Sequence, residues 1–178
     1  MEKLTVVETP LKDLYVVQTN VFTDNRGLFT RWFCETELQA VLGARRIKNI
    51  NFSRTFKKGT IRGMHYQKSP FSEMKLVRCI KGKVFDVAVD LRVDSKTYLQ
   101  WYGIELSAKK MNMFIIPEGF AHGFQSLENH VEMLYLHTEF YKKETECAIR
   151  YNDPKINIQW MIPITEISEK DKHHPLIN

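Results

Sequence analysis

The chain has 178 residues, of which 43% are hydrophobic and 26% are charged, and its formal net charge is +5 at pH 7. This length suits one domain spanning residues 1–178, and no apolar run approaches the roughly 20 residues of a membrane helix. The basic residues occur largely as short pairs in separate segments, which argues against a nucleic-acid partner. Three cysteines at distant spacings and the lack of an apolar signal segment predict reduced thiols and a cytoplasmic location.

The predicted elements are many short strands and two short helices. The first helix is Glu35–Leu42, with Thr36 at its cap and Gly43 at its C-terminal end. Strands bounded by turn-forming or charged residues follow at Thr60–Gln67, Met74–Ile80, Val84–Leu91, Tyr102–Leu106, Met113–Ile116, Val131–Thr138 and Ala148–Tyr151. A helical turn begins near Ser168, where Ser168 and Asp171 have the spacing of a cap. This pattern predicts an all-β sandwich, jelly roll or barrel.

The strand Val84–Leu91 has the strongest pattern. Apolar side chains alternate with aspartates, so that one face carries Phe85, Val87, Val89 and Leu91 and the other carries Asp86 and Asp90. A period of two is the signature of a strand with one buried face.

His65 is the first candidate for chemistry. On a regular strand, His65 and Gln67 share one face while Arg62 and Met64 share the other. If the first face lines a barrel, His65 can accept a proton there, because an unperturbed histidine titrates near pH ~6.5 and a nearby carboxylate would orient it. The alternative is a histidine that is hydrogen-bonded in the core.

A second segment, around Pro117, Gly119 and His122, has the spacing of the second half of a cupin metal site. A metal needs three or four convergent ligands. The first half would normally supply a His-x-His pair, but here Gln67 stands in place of the second histidine. We therefore expect no metal and no other cofactor.

Three further residues carry weak signals when each is taken alone. Tyr135 shares a strand face with His137, where a tyrosine is usually a core residue with a bonded hydroxyl. Lys75 follows a turn, where a lysine is most often solvated. Asp171 is most simply the third residue of the Ser168 cap.

Taken together, these segments resemble the dTDP-4-dehydrorhamnose 3,5-epimerase family. The matching stretches are Phe22–Phe29, Asn51–Ser53, Ile61–Gln67, Lys75–Arg78, Val84–Arg92, Ile116–Phe124, Tyr135–Tyr141 and Tyr151–Pro154. The resemblance implies a cupin-type jelly roll, a double-stranded β-helix barrel that acts without metal. It also implies an isomerase that inverts C3, C5 or both in a nucleoside-diphosphate-linked 4-keto-6-deoxy sugar, in deoxysugar and polysaccharide (capsule or lipopolysaccharide) biosynthesis.

The resemblance assigns four catalytic roles. His65 matches the base, and Asp171 matches its carboxylate partner. Lys75 matches a lysine near the C4 oxygen of the sugar, and Tyr135 matches the acid that returns a proton from the opposite face. The residue types suit the reaction, because an enolate needs a preorganised cation and inversion needs a donor on the other face.

The resemblance also implies a nucleotide-sugar site. Arg62 and, from the neighbouring subunit of a homodimer, Arg26 match residues that hold the diphosphate, which suits the guanidinium fork. Other matches to ligand-contacting or supporting positions are Phe29, Asn51, Gln67, His122, Tyr141, Glu146 and Lys170.

Two departures from the family pattern affect the nucleoside end. Arg31 stands where the family usually has a glutamate, and Asn49-Ile50-Asn51 replaces Gln-Asp-Asn. Replacing an acceptor by a cation changes which base is preferred, so both dTDP and GDP, with a hexose or a heptose, remain open. A metal-dependent cupin and a non-catalytic sugar-binding cupin are the alternative functions.

Overall fold

The computed structural model describes residues 3–177. The strands are β1 (Leu4–Glu8), β2 (Tyr15–Thr19), β3 (Val21–Asp24), β4 (Gly27–Thr30), β5 (Asn49–Thr55), β6 (Thr60–Gln67), β7 (Lys75–Lys81), β8 (Lys83–Asp90), β9 (Trp101–Ser107), β10 (Met113–Ile116), β11 (Phe120–Ser126), β12 (Val131–His137), β13 (Glu146–Ala148) and β14 (Glu166–Ile167). Two short α-helices, α1 (Gln39–Leu42) and α2 (Glu169–Lys172), and a 3₁₀ turn at Lys143–Thr145 complete the elements.

The strands form two large sheets and a hairpin. Sheet I has the order β1-β2-β10-β7-β12-β5, and sheet II has the order β13-β6-β11-β8-β9, with β14 parallel to β6. Strands β3 and β4 pair only with each other among the described residues. Neighbours within each large sheet are antiparallel and mostly non-consecutive in sequence, which is the jelly-roll arrangement that the resemblance implied.

The core lies between the two sheets. Sheet I contributes side chains such as Val77 and Phe114, and sheet II contributes Val84, Leu106 and Phe124. Alternate residues of each strand point away from this core and are covered as well. The segment around α1 packs on the outside of sheet I, and the segment containing residues 149–158 packs on the outside of sheet II. The alternation in β8 is therefore confirmed, but both of its faces are buried.

Six of the predicted strands are confirmed, with ends shifted by one residue at most, whereas the strand expected at Ala148–Tyr151 shares only Ala148 with β13 and was wrong. The sequence pattern also misses β1–β5, β11 and β14. The helix expected at Glu35–Leu42 is shorter, and the expectation of a Thr36 cap was wrong. Helix α1 begins after Leu38, with no side-chain cap, and ends at Gly43 as predicted. The Glu37 carboxylate instead accepts the backbone N–H groups of residues 3 and 4, so tertiary pairing replaces the first helical turn.

The expected side-chain alternation on β6 was also wrong, and the error matters for function. His65 pairs with His122 and Arg62 pairs with Phe124, so three steps along β6 match two steps along β11. The extra residue is a β-bulge, which reverses the alternation of side chains. As a result Arg62 and His65 line the same cavity, while Met64 packs in the outer cluster of sheet II.

The structure of residues 3–177 contains no helix with the length and apolar character needed to span a membrane.

Candidate active site

A cavity of about 670 Å³ opens between the two sheets. Its wall from sheet I comes from β5, β7 and β12, and its wall from sheet II comes from β6 and β11. The segment containing β14 and α2 closes one side. The polar lining residues are Asn51, Ser53, Thr55, Thr60, Arg62, His65, Lys75, His122, Tyr135, His137, Glu166, Ser168, Lys170 and Asp171.

His65 and Asp171 form a close pair at this cavity. His65 Nε2 lies 2.7 Å from Asp171 Oδ1, and the backbone N–H of Gly63 donates to Asp171 Oδ2 at 3.4 Å. Burial alone would raise the pKa of the Asp171 carboxyl, but the hydrogen bond and charge of His65, together with the Gly63 amide, lower it to about 2. Asp171 is therefore ionised at neutral pH and accepts from His65, which leaves Nδ1 of His65 as the nitrogen with a free lone pair.

Local sequence explains how Asp171 reaches the cavity. The predicted cap is confirmed, because Ser168 Oγ accepts from the Asp171 backbone N–H at 3.1 Å. The Asp171 carboxylate meanwhile points to His65. The parallel pairing of β14 with β6 holds this segment beside the strand that carries His65.

His174, which no sequence motif marks, contacts the same carboxylate. His174 Nε2 lies 3.2 Å from Asp171 Oδ1, and its ring stands edge-on to that of His65 at 5.8 Å between centroids. Among residues 3–177, these three side chains are the one group of three or more ligand-type residues whose ligand atoms lie within 4.8 Å of one another.

Lys75 is buried against the same strand as His65, and its predicted solvation as a lone residue was wrong. Its Nζ donates to the backbone oxygen of His65 at 3.2 Å and lies 3.3 Å from Glu73 Oε1. His137 Nδ1 donates to Glu73 Oε2 at 2.8 Å. Burial would raise the pKa of Glu73, but His137 and Lys75 outweigh it and hold that pKa below its usual value. Sequence reasoning missed both Glu73 and the part played by His137, because their pairing joins residues 64 apart.

Tyr135 stands on sheet I, across the cavity from His65 on sheet II. Its hydroxyl lies 2.9 Å from Ser53 Oγ. Burial raises the pKa of Tyr135 well above its usual value, and the Ser53 hydrogen bond only partly opposes the shift. The phenol therefore keeps its proton at neutral pH.

A second pair made of a histidine and an aspartate lies deeper in the barrel. His122 Nε2 is 2.8 Å from Asp86 Oδ1, and Asp86 is fully buried. Burial raises the pKa of Asp86 against the opposing effect of His122. Asp86 Oδ2 has no hydrogen-bond partner within the described part of the chain.

Two basic residues mark the mouth of the cavity. Arg62 Nε donates to Thr55 Oγ1 at 3.0 Å, which orients its guanidinium along the cavity wall. Lys170 Nζ lies 2.8 Å from Glu146 Oε2, and the Tyr141 hydroxyl donates to the same oxygen at 3.1 Å. Of these rim residues, Arg62 and Lys170 line the main cavity, while Tyr141 and Glu146 do not.

Four of the predicted binding residues lie outside the cavity. Arg26 and Phe29 are on the exposed β3–β4 hairpin, where the Arg26 side chain is 89% exposed and paired with Asp24. Arg31 pairs with Glu37. Asn49 stands on β5 beyond Asn51, which does line the cavity.

Gln67 also lies away from the cavity. Its amide donates to the backbone oxygens of Phe71 and Phe140 and accepts from the Lys142 backbone N–H, so it ties two loops together. Neither Gln67 nor His122, which bonds Asp86, joins His65 as a ligand set of the cupin type.

The chain is similar to known proteins over nearly its whole length. The family model described as dTDP-4-dehydrorhamnose 3,5-epimerase matches residues 8–178. The protein of that name from Shigella flexneri is 40% identical over 170 residues, covering 94% of this chain and 93% of the relative.

Two solved structures have nearly the same fold. The enzyme of that name from Bacillus anthracis, with TDP and PPi bound, superimposes with a TM-score of 0.94 at 35% identity, covering 98% of this chain and 99% of the other. The dTDP-6-deoxy-D-glucose-3,5-epimerase from Legionella pneumophila, in complex with dTDP-4-keto-L-rhamnose, gives a TM-score of 0.92 at 38% identity, covering 97% and 92%. These matches confirm the cupin-type jelly roll and the epimerase class, and they give no support to the metal-dependent alternative. The chain belongs to the dTDP-4-dehydrorhamnose 3,5-epimerase family.

Proposed function

We propose that this protein epimerises C3, C5 or both of a nucleoside-diphosphate-linked 4-keto-6-deoxy sugar, with His65 as the base and Tyr135 as the acid. The observation that carries the proposal is their placement on opposing sheets of one cavity, with Lys75 beside them. Inversion of a carbon requires that a proton leave from one face and return to the other. Two proton-transfer groups on facing walls meet that requirement.

Proton removal is the role of the His65–Asp171 pair. The ionised Asp171 accepts the Nε2 proton, which fixes the tautomer and leaves Nδ1 to take a proton from the sugar. When His65 becomes an imidazolium, the Asp171 charge 2.7 Å away stabilises it. The hydrogen bond from Gly63 and the Ser168 cap keep the carboxylate in place.

Stabilisation of the enolate is the role of Lys75. A C–H beside a ketone becomes acidic enough to remove only if the negative charge on the carbonyl oxygen is balanced. The Lys75 side chain is 10% exposed, so its charge acts in a region with little screening. Glu73 and the backbone oxygen of His65 hold the ammonium at the cavity wall.

Return of the proton is the role of Tyr135. Its raised pKa keeps the hydroxyl protonated, and the Ser53 hydroxyl orients it. A phenol is a weak acid in water, but an enolate is basic enough to take its proton. Before the next turnover, the Tyr135 phenolate takes a proton from solvent and the His65 imidazolium gives its proton to solvent.

The nucleotide end is proposed to involve a second protomer. The β3–β4 hairpin exposes Leu28 and Phe29 at 56% and 62%, and the edge strand β5 exposes Ile50 and Phe52 at 60% and 54%. A homodimer in which the hairpin covers the neighbour's cavity mouth would bury this apolar surface and the open sheet edge. It would also bring Arg26 to the diphosphate beside Arg62. The three free cysteines support a reducing, cytoplasmic setting for the enzyme.

The preferred nucleotide is proposed to be dTDP, with GDP as the alternative. Within the protomer, the Arg31 guanidinium is engaged by Glu37, so this departure from the family pattern places no free cation at the cavity. The relatives from B. anthracis and L. pneumophila bind TDP or a dTDP-linked sugar.

The test is solvent-deuterium incorporation followed by NMR with dTDP- and GDP-linked 4-keto-6-deoxy sugars in parallel. We expect exchange and inversion at C3, C5 or both, faster with the dTDP sugar, and the labelled carbons report the positions. Binding of both sugars without any exchange would instead support the sugar-binding alternative.

A further inference from the structure

We propose that His65, Asp171 and His174 form a binding site for a divalent transition metal such as Zn²⁺, and that metal bound there inhibits the enzyme by occupying its base. The inhibition rests on the proposed function of His65, whereas the binding does not. This site differs from the cupin metal position, because Gln67 and His122 take no part in it.

The ligand atoms lie close enough together for one metal ion to reach all three after small shifts of the side chains. Zinc lies ~2.0–2.2 Å from nitrogen and oxygen ligands at near-tetrahedral angles, which places neighbouring ligand atoms about 3.3 Å apart. Asp171 Oδ1 is 2.7 Å from His65 Nε2 and 3.2 Å from His174 Nε2. All three ligand atoms lie within 4.8 Å of one another. Two imidazoles and one carboxylate are also a common ligand set for such metals.

The site is held in place before any metal arrives. Asp171 is fixed by the Ser168 cap and the Gly63 amide. The backbone oxygen of His174 accepts from Arg150 Nε at 2.7 Å, and three residues later the Ile177 N–H donates to Asp153 at 2.6 Å. These contacts anchor the C-terminal segment, so little conformational entropy is lost on binding.

Access and charge also favour a cation. His65 lines the main cavity and also a second cavity of about 300 Å³ that His174 lines, so metal and its waters can approach from either side. The nearby Lys170 is paired with Glu146, so its charge is largely balanced.

Metal binding would stop His65 from acting as a base, because it changes which ring nitrogen carries the proton. Each imidazole would give its Nε2 lone pair to the metal and carry its proton on Nδ1, and water would complete the coordination. Nδ1 of His65 would then have no lone pair for the sugar proton. No bond of the substrate changes in this step.

Binding is tested on chelator-treated, desalted protein with Zn²⁺ calorimetry and with Co²⁺ visible absorption, neither of which requires activity. We expect one metal per chain, and at least about tenfold weaker binding in His174→Ala, which loses a ligand. His173→Ala is the matched control. The His173 side chain is 75% exposed, and the contact with Asp171 is made by the neighbouring His174. Circular dichroism and thermal denaturation verify that the variants fold.

Unchanged affinity in His174→Ala, or no binding by the unaltered protein, would overturn the site. In parallel, Zn²⁺ should reduce deuterium exchange, a chelator should restore it, and His174→Ala should need at least about tenfold more Zn²⁺ for the same reduction. If metal-free protein lacks exchange while metal still binds with the expected dependence on His174, the proposed function fails and the metal site stands. If metal binds but leaves exchange intact, the inhibitory role is wrong.

Discussion

Two aspartates on strand β8 lie four residues apart on the same face, and their surroundings shift the pKa of the carboxyl in opposite directions. Asp90 accepts from Arg92, Ser95 and Thr97, and these donors outweigh burial and lower its pKa to about 2. Asp86 has one partner, His122, an oxygen without a hydrogen bond, and a pKa that burial raises.

The difference separates a stabilising region from a reactive one. The loop after Asp90 satisfies both carboxylate oxygens, as expected where a charge holds a turn together. The region near the cavity leaves one oxygen of the buried Asp86 without a hydrogen bond, which is costly for stability and typical of functional sites. Changes in the cavity should therefore affect turnover with little effect on folding, and changes around Asp90 should do the reverse.

The largest expected effect is at His65. His65→Asn should lower deuterium exchange at every sugar carbon on the order of 10³-fold, because it removes the base from the chemical step. The melting temperature and the affinity for the nucleotide sugar should stay close to those of the unaltered protein. His173→Asn, at an exposed position, is the control. Near-normal exchange in His65→Asn would remove His65 from the mechanism.

Tyr135→Phe should separate the two halves of the reaction. The ring and its packing remain while the hydroxyl is lost, so His65 should continue to remove protons and then return them to the same face. We expect the ratio of inversion to exchange to fall about tenfold or more by NMR in heavy water. Tyr102→Phe, a half-buried tyrosine in the same core, is the control. An unchanged ratio would mean that another residue, with Tyr141 the nearest candidate, is the acid.

Asp90→Asn should destabilise the fold without changing the chemistry. The folded pKa of Asp90, about 2, lies below its usual value, so its contribution is present above about pH 4 and is lost as the pH falls toward 2. We expect Asp90→Asn to lower the free energy of unfolding by about 2 kcal/mol at pH 6. The gap between variant and unaltered protein should narrow below pH 4 in urea titrations. A constant gap at all pH values would show that packing, not charge, is what the substitution changes.

The smallest effect on stability is expected from Asp86→Asn. An amide of the same shape removes a buried charge that has one partner, so stability should change by less than about 1 kcal/mol in the same urea titrations. A loss as large as that of Asp90→Asn would break the distinction between the two regions.

Local pattern predicted the strands β6–β10 and β12. The alternation in β8 and the glycine that ends α1 depend on neighbours in sequence, and both are confirmed. The hairpin β3–β4 was missed because both of its faces are exposed. Its residues therefore show no alternation between buried and exposed positions. The bulge in β6 was missed because it depends on how β6 pairs with β11. The sequence of one strand does not contain that information.

The cavity was only partly predictable for the same reason. His65 lies in a segment whose residue types already suggested chemistry, whereas the roles of Arg62 and Lys75 came from the family resemblance. Ser53 and His174 carry no motif, and their contacts with Tyr135 and Asp171 depend on how distant elements pack. The family resemblance supplied Asp171, which local sequence explains equally well as part of a helix cap.

The contact between His65 and Asp171 joins residues 106 positions apart. Closing so long a loop is entropically costly and is compensated only when the intervening strands are paired, so such contacts form late in folding. His65 therefore acquires its carboxylate partner only after both sheets and the β14–α2 segment have docked. Recovery of turnover during refolding should report the completed barrel, and it should lag behind signals of early strand formation.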